Sequence, residues 1–310
     1  MHLDVIIPVK DRATLAPCVT TLVQSLSAIQ MGGRIWVCDG GSQTQDCQAQ
    51  LQEIQQWPQV KILPCPQPGF NKGWLLNQGL RAAIAPWVLI SDVDILWSAA
   101  TLGALGDAAC QTPQGFYHIQ TVQEAEPQTI ALQRPRYGYH LSQTPRGPRV
   151  EIRAETDVTS ARPGYGLLCA QRQLFEQVGG YRHDFQGWGW EDQDLLLRSQ
   201  LLGYPVKTQG EVIHLSHNDE QRNQFTTAQN PQQSRDRNIL RCLAGLAQGR
   251  LRGDLHPNPG AAATVSQPIQ IDYPPALQET LHHFPDDAVR DVLTSALVPH
   301  SARTPKTRSQ

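Results

Sequence analysis

In the first hundred residues, short apolar runs alternate with longer segments whose apolar positions recur at helical spacing. The apolar runs predict strands at Leu3–Val9, Arg34–Cys38, Val60–Leu63 and Trp87–Ile90. The segments between them predict helices over residues 13–29, 44–56 and 71–84. Strands that alternate with helices form right-handed βαβ units. The sequence therefore predicts an α/β fold with a mixed, mostly parallel central sheet flanked by helices.

The pattern changes in the rest of the chain. Residues 120–162 are rich in Gln, Pro, Arg and Thr and lack periodicity, so we interpret them as a long loop or an excursion over the functional site. Beyond them, a short helix is predicted at Leu174–Val178, a longer one after the stretch GWGWEDQD, and a strand at Val212–Leu215. One or two short helices are expected within residues 275–297, and the final residues are expected to be disordered.

These shifts in composition predict where the chain divides. With 310 residues, of which 40% are hydrophobic, it can bury a sizeable core. We expect a main domain over residues 1–245, in two halves, 1–97 and 98–245. A Pro/Gly/Ala-rich extension, partly helical or disordered, is expected over residues 246–310.

Charge and cysteine usage exclude several classes of protein. A formal net charge of -2 gives no broad electrostatic case for nucleic acid. No run of about 18 apolar residues predicts a transmembrane segment, and the apolar N-terminus is too short for a signal peptide. The seven cysteines form no CxxC pair, which argues against structural zinc or disulfides and for reduced thiols in a cytoplasmic protein. These features leave open whether the protein contacts a membrane peripherally. An arginine cluster fits a solvated loop better than an anion site; it comprises Arg134, Arg136, Arg146, Arg149 and Arg153.

Acidic residues directly follow three of the predicted strands. They are Asp11, Asp39 and Asp92. Ligands of such sheets bind at the carboxyl ends of the strands, so these side chains should share one rim. Asp92 and Asp94 form a D-x-D pair, whose oxygens suit Mg²⁺ or Mn²⁺. An isolated D-x-D is more often part of a solvated loop than a metal site. Here the pair follows a central strand, and the two interpretations are about equally favoured.

Two later stretches concentrate candidate chemistry. GWGWEDQD, residues 187–194, combines indole rings, which suit the apolar face of a sugar, with acids that accept hydroxyl hydrogen bonds. The same acids also suit the first turn of a helix, and both interpretations can hold. His214 and His217 follow the predicted strand at Val212–Leu215. A lone histidine there is usually structural, whereas a pair in a chain with a D-x-D favours metal ligation.

Taken in order, these stretches resemble the GT-A glycosyltransferases, especially family 2 and its relatives with a galactosyltransferase-type C-terminal motif. IIPVKDR resembles the opening strand, VCDGGS the V-D-x-G-S turn, and SDVDI the metal-binding D-x-D. GWGWEDQDL resembles the W-G-x-E-D-x-D motif of beta-1,4-galactosyltransferases and bacterial chondroitin polymerases. FNKGWLLNQG resembles F-N-R-x-x-L-L-N-x-G of the former. The resemblance covers residues 3–218 and implies a Rossmann-like GT-A fold, with a nucleotide-binding first half and an acceptor-binding second half.

The resemblance also implies roles by matching position. Asp192 matches the catalytic base and Glu191 an acceptor-binding carboxylate. Asp94 matches the direct metal ligand, with Asp92 at the ribose or a metal-bound water, and either or both of the two histidines complete the metal shell. Contacts to the nucleotide sugar are implied for Pro8, Val9, Arg12, Asp39 (at the uracil), Asn71, Lys72, Asp92 and Trp188.

The implied reaction is metal-dependent transfer of a sugar from a UDP-sugar to a glycan or other hydroxyl acceptor. Mn²⁺ or Mg²⁺ would neutralise the leaving diphosphate, and a single displacement predicts inversion at the anomeric carbon. Trp190 stands where the galactosyltransferases have glycine, so the donor sugar (Gal, GalNAc, Glc or GlcNAc type) is left open. One alternative is a non-catalytic nucleotide- or sugar-binding protein on the same fold. The other is a sugar nucleotidyltransferase, which is less favoured because the first strand is not followed by a glycine-rich phosphate loop.

Overall fold

The computed structural model describes residues 1–126, 136–155, 161–217, 224–225, 228, 230–256 and 268–296. Its first half is a parallel α/β unit with strands β1 (Leu3–Val9), β2 (Ile35–Asp39), β3 (Val60–Pro64) and β4 (Trp87–Ile90). They pair in the order β3-β2-β1-β4. The connecting helices are α1 (Leu15–Ala28), α2 (Gln45–Ile54) and α3 (Lys72–Ala82). The predicted strands and helices of this half are confirmed to within a few residues.

Strand β1 shows why these runs are continuously apolar. All seven of its residues are buried. Val5 and Ile7 pack in a core with α1 and α2, whereas Ile6 packs in a second core with α3 on the opposite face. Because helices cover both faces of the sheet, neither face of the strand can be polar.

Beyond β4 the sheet becomes mixed. The next elements are β5 (Ile95–Leu96), α4 (Ala99–Gln111), β6 (Phe116–Glu124), β9 (Arg162–Gln171), α5 (Arg172–Gln177), α6 (Glu191–Leu201), β10 (Val206–Thr208) and β11 (Glu211–His214). Strand β9 lies antiparallel between β4 and β6. Strands β10 and β11 pair parallel with β6, and β11 also pairs antiparallel with β5. The carboxyl ends of β1, β2, β4, β6 and β11 therefore meet along one edge.

The prediction of a long loop over residues 120–162 is wrong for the described part of this range. They contain the end of β6 and a hairpin of β7 (Arg136–Thr144) and β8 (Gly147–Glu155), in addition to segments outside the described residues. The strand signal is the alternation of Tyr137, Tyr139 and Leu141, which face a hydrophobic cluster while polar residues separate them. Because only one face of this sheet is buried, its overall composition is polar.

The arginines predicted in a solvated loop fall mainly on this hairpin. Arg149 pairs with Asp272, and Arg153 with Glu151. The charges of these two arginines are therefore neutralised by acids of the three-stranded sheet to which the hairpin belongs. Arg134 lies outside the described residues.

The described C-terminal residues pack against the main body. Strand β12 (Gln270–Asp272) pairs parallel with β8. Three further helices lie in the described part of the chain, α7 (Pro231–Ala247), α8 (Pro275–His282) and α9 (Asp287–Ala296), and the last two are the short helices expected within residues 275–297. Ile271, Leu277 and Phe284 are buried in one cluster with side chains of α7. The last residues, expected to be disordered, lie outside the described part.

The thiols and the helix lengths bear on the predictions for the cysteines and for membrane spans. All seven cysteines are free thiols, and only Cys110 is exposed. Among the described helices, none combines the length and apolar character that crossing a bilayer would require.

Candidate active site

The D-x-D pair leaves the sheet edge directly after β4. Strand β5 begins at Ile95 and pairs with β11 so that Ile95 lies opposite His214. The backbone N–H of Leu215 donates to the Asp94 carbonyl at 2.8 Å. This short antiparallel pairing carries Asp94 to the end of β11, where the two histidines lie.

Asp94, His214 and His217 form a compact cluster. The Asp94 Oδ2 atom lies 3.1 Å from His217 Nε2 and 3.4 Å from His214 Nε2. One possible ligand atom from each residue falls within 4.8 Å of the others. A carboxylate oxygen and two imidazole nitrogens at this spacing fit a divalent transition-metal ion. The structure thus brings together three of the four residues for which metal ligation was predicted, whereas the carboxylate of the fourth, Asp92, pairs with Lys72 instead.

Glu124, which the sequence reasoning missed, lies behind this cluster. Its Oε2 atom is 2.6 Å from His214 Nδ1 and accepts a hydrogen bond from the Ser216 hydroxyl at 3.1 Å. Burial would raise the pKa of Glu124, but the hydrogen bond and charge of His214 and the charge of Arg162 outweigh it and lower the pKa to about 2. Burial likewise opposes the charge on His214, whereas hydrogen bonds to Asp94 and Glu124 raise its pKa to about 9.

A second cluster surrounds the ammonium group of Lys72, the first residue of α3. Lys72 Nζ lies 2.9 Å from Asp92 Oδ1, 3.2 Å from Glu191 Oε1 and 2.9 Å from Asp192 Oδ2. The lysine, predicted as a donor contact, therefore bridges the D-x-D to the two acids that begin α6. A Cβ atom at Gly166 of β9 would lie 2.6 Å from Asp192 Oδ2, so a larger residue there would displace this carboxylate.

One ammonium group cannot neutralise three carboxylates. Burial would lower the pKa of Lys72, but Asp192, Asp92 and Glu191 hold it well above its usual value. Burial raises the pKa of Asp192 to about 8, with Glu191 and Asp92 adding to the effect and Lys72 opposing it. The Asp192 Oδ1 atom is buried and has no hydrogen-bond partner within the described residues. A basic oxygen is thus left available at this point of the site.

The turn that carries Glu191 and Asp192 has an unusual backbone. Trp190, which precedes α6, adopts a left-handed conformation with φ of 79°. Its indole is only 2% exposed and lies in the hydrophobic cluster of α7 and the C-terminal elements. Trp188, predicted to contact the donor, is 39% exposed, and its backbone N–H donates to the Ser234 hydroxyl at 2.8 Å.

The third acid of the stretch, Asp194, lies away from the site. It is fully buried, with Oδ2 2.7 Å from Arg198 Nε and Oδ1 3.4 Å from Arg182 Nη1. Arg198 also donates to the Val178 and Gly180 carbonyls, each at 2.9 Å. This network ties α6 to the segment between α5 and α6.

The remaining predicted donor contacts lie along the same edge. Pro8 and Val9 are the last residues of β1, and Arg12 is half-buried just beyond it. Asp39 ends β2, and its Oδ1 accepts hydrogen bonds from the Ser42 N–H at 2.9 Å and the Ser42 hydroxyl at 2.6 Å. The Asn71 side chain caps α3 by accepting from the Trp74 N–H at 2.9 Å, and it donates to the His183 carbonyl at 2.7 Å. The parallel register of their strands places Asp11, Asp39 and Asp92 along the common rim that was predicted.

Comparisons with known proteins agree with this architecture. The family described as "Glycosyl transferase family 2" matches residues 4–163, more than half of the chain, and the family described as "N-terminal domain of galactosyltransferase" matches residues 152–218.

Curated relatives match a shorter stretch. The chain is 29% identical over 153 residues to chondroitin sulfate N-acetylgalactosaminyltransferase 1 of Mus musculus, which is 48% of this chain and 27% of the relative. It is 30% identical over 154 residues to chondroitin sulfate N-acetylgalactosaminyltransferase 2 of Homo sapiens, with the same coverage. The chain therefore matches only about a quarter of the length of these relatives.

Similar solved structures bear on the fold alone. GalNAc-T7, solved with UDP, GalNAc and Mn²⁺, superposes with a TM-score of 0.56 at 13% identity, covering 78% of this chain and 47% of the other. S. aureus TarS residues 1–349 superpose with a TM-score of 0.50 at 14% identity, covering 83% of this chain and 67% of the other. These similarities confirm the predicted GT-A α/β fold.

Proposed function

The chain belongs to glycosyl transferase family 2, and from this premise we propose that it moves a sugar from a UDP-sugar to an acceptor hydroxyl, with a divalent cation and with inversion at the anomeric carbon. That the protein is a glycosyltransferase follows from its family. The observation that carries the finer proposal is the position of two clusters on one sheet edge. Asp94, His214 and His217 form the first, and Asp92, Glu191 and Asp192 around Lys72 form the second.

The first cluster suits the nucleotide diphosphate end of the donor. Asp94, His214 and His217 would hold Mn²⁺ or Mg²⁺, with Asp92 beside them. When bound, such an ion neutralises the negative charge that develops on a departing diphosphate. The imidazole nitrogens favour Mn²⁺ over Mg²⁺, which prefers oxygen ligands.

The second cluster suits the acceptor. In a single displacement, the acceptor oxygen bonds to the anomeric carbon while the bond from that carbon to the diphosphate oxygen breaks. The proton of the acceptor hydroxyl passes to Asp192, whose raised pKa of about 8 lies near a physiological operating pH, as general base catalysis requires. Glu191 accepts a hydrogen bond from another acceptor hydroxyl, and the exposed indole of Trp188 offers a platform for a sugar ring.

The donor is proposed from the same class as that of the curated relatives, which are N-acetylgalactosaminyltransferases by name. UDP-GalNAc is therefore the first donor to test, followed by UDP-Gal, UDP-GlcNAc and UDP-Glc. The acceptor is proposed to be a glycan or other hydroxyl compound.

A thermal-unfolding screen of these four donors, with and without Mn²⁺, tests the proposal. A donor present at about 100 times its Kd adds about 2.7 kcal/mol of stability. We expect one donor to raise the Tm by about 5 °C or more, but only with Mn²⁺. Asp94→Asn should abolish that shift, whereas Asp107→Asn, a matched change of an exposed aspartate on α4, should retain it. Equal stabilisation with and without Mn²⁺, or an unaffected Asp94→Asn variant, would contradict the proposal.

A further inference from the structure

Glu124 is brought to the metal cluster by strand pairing. It is the last residue of β6, and the parallel register of β6 and β11 sets it directly beside His214. In parallel neighbours, side chains at paired positions project from the same face of the sheet. The two side chains can therefore form the 2.6 Å hydrogen bond between Glu124 Oε2 and His214 Nδ1.

This hydrogen bond determines which imidazole nitrogen is available to an ion. A carboxylate has only acceptor atoms, so the shared proton belongs to Nδ1 of His214. In the neutral ring, which is the form that ligates a metal, the lone pair is then on Nε2, the atom that lies 3.4 Å from Asp94 Oδ2 and faces the candidate ion position. Without the carboxylate, the ring could turn or carry its proton on the other nitrogen.

Glu124 is itself held on both of its oxygens. The Ser216 hydroxyl donates to Oε2 at 3.1 Å, and Arg162 Nε lies 3.4 Å from Oε1. The Glu124 side chain is only 6% exposed. With a guanidinium group on one oxygen and an imidazole N–H on the other, Glu124 is poorly placed to ligate a cation directly.

We propose that Glu124 is the positioning residue of the metal centre, which orients His214 and directs its Nε2 atom toward the ion shared with Asp94 and His217. This inference rests on the proposed function, because it presumes that the cluster binds a divalent cation. Carboxylates that hydrogen-bond to a ligating histidine typically contribute a factor of about 10–100 to metal affinity.

The test is direct Mn²⁺ binding at about pH 8 with saturating UDP, followed through the electron paramagnetic resonance signal of free Mn²⁺. We expect Glu124→Ala to raise the Kd for Mn²⁺ by about 10–100-fold. Glu124→Gln should lie between wild type and Glu124→Ala, since its amide oxygen can still accept from His214. The matched control is Glu211→Gln, which changes an exposed glutamate at the other end of β11 and should leave the Kd unchanged.

A kinetic comparison separates positioning from a general loss of structure. In the Glu124 variants the Mn²⁺ concentration for half-maximal activity should rise by the same factor as the Kd, while kcat at saturating Mn²⁺ stays within about threefold of wild type. Thermal unfolding identifies any variant that has not folded. If Glu124→Ala has not folded, the Kd of Glu124→Gln for Mn²⁺ is used to test the inference. Wild-type Kd values in both Glu124 variants would overturn the inference and leave the proposed function standing. Absence of Mn²⁺ binding by the wild type would instead overturn the proposed function.

Discussion

Replacing Trp190 sets two opposing effects against each other. The residue has a left-handed backbone, with φ of 79°, directly before the two acids that begin α6. In such a conformation the Cβ atom crowds the following carbonyl, which costs about 1–2 kcal/mol, and glycine avoids this cost. Yet the indole is only 2% exposed and packs among buried side chains of α7 and the C-terminal elements. Trp190→Gly removes both the strain and the packing.

The relative sizes of the strain and of the lost packing determine the change in the free energy of unfolding. Truncating a buried tryptophan to alanine costs about 3–5 kcal/mol, and alanine keeps the Cβ atom and hence the strain. Glycine regains about 1–2 kcal/mol of that loss. We therefore expect Trp190→Ala to lose about 3–5 kcal/mol and Trp190→Gly about 1–4 kcal/mol. At about 2–4 °C per kcal/mol, the Tm should fall by at least about 2 °C in the glycine variant and by at least about 6 °C in the alanine variant.

Chemical denaturation gives the free energy of unfolding of wild type and of both variants, and steady-state kinetics follow the consequences. Because Trp190 anchors the turn that carries Glu191 and Asp192, kcat should fall in both variants. If Trp190→Gly were as stable as wild type, the indole would not be anchoring this turn. If Trp190→Ala were as stable as Trp190→Gly, the left-handed backbone would carry no strain.

Three further predictions concern the acids around Lys72. Asp192→Asn should lower kcat by about 10²–10⁴-fold while calorimetry shows the Kd for UDP within about threefold of wild type, since the general base is lost but not the nucleotide site. In the wild type, kcat/KM should rise with pH, reach half of its maximum near pH 8 and level off above that pH, because burial raises the pKa of Asp192 to about 8 and only its ionised form accepts a proton; a flat profile from about pH 6 to 8.5 would contradict this. Lys72→Met should lower the free energy of unfolding by about 3–5 kcal/mol at about pH 8, where the neighbouring acids lose their cation, and by less at about pH 5, where Asp192 is protonated because burial raises its pKa to about 8; Lys61→Met, an exposed change, should leave the free energy of unfolding unchanged at both pH values.

The parallel half of the fold was predictable because burial on both faces leaves a clear pattern. Strands β1 and β4 were predicted with their observed bounds. The hairpin of β7 and β8 was missed for the opposite reason. One of its faces is polar, so His, Arg and Glu separate apolar residues and the composition resembles a loop. The local signal of strands was the alternation of Tyr137, Tyr139 and Leu141 in β7 and of Val150 and Ile152 in β8.

The site was predictable only where it depends on strand ends. The rule that ligands bind at carboxyl ends placed Asp39 and Asp92 correctly on one edge. Glu124 depends instead on the pairing of β6 with β11, which sets it beside His214, a residue 90 positions later in the chain. That pairing is a property of strand order in the sheet, and no local pattern in the sequence specifies it.

The two D-x-D pairs show why residue type and spacing did not suffice. After β4 the chain turns, and Asp92 and Asp94 reach two neighbouring clusters on the same edge. In α6 the same spacing corresponds to about 200° of rotation, because each residue of a helix advances about 100°. Asp192 therefore faces Lys72, whereas Asp194 faces the opposite side, where Arg198 one turn later neutralises it. The identical pattern thus produces a pair of site residues on a turn but one site residue and one buried structural anchor on a helix.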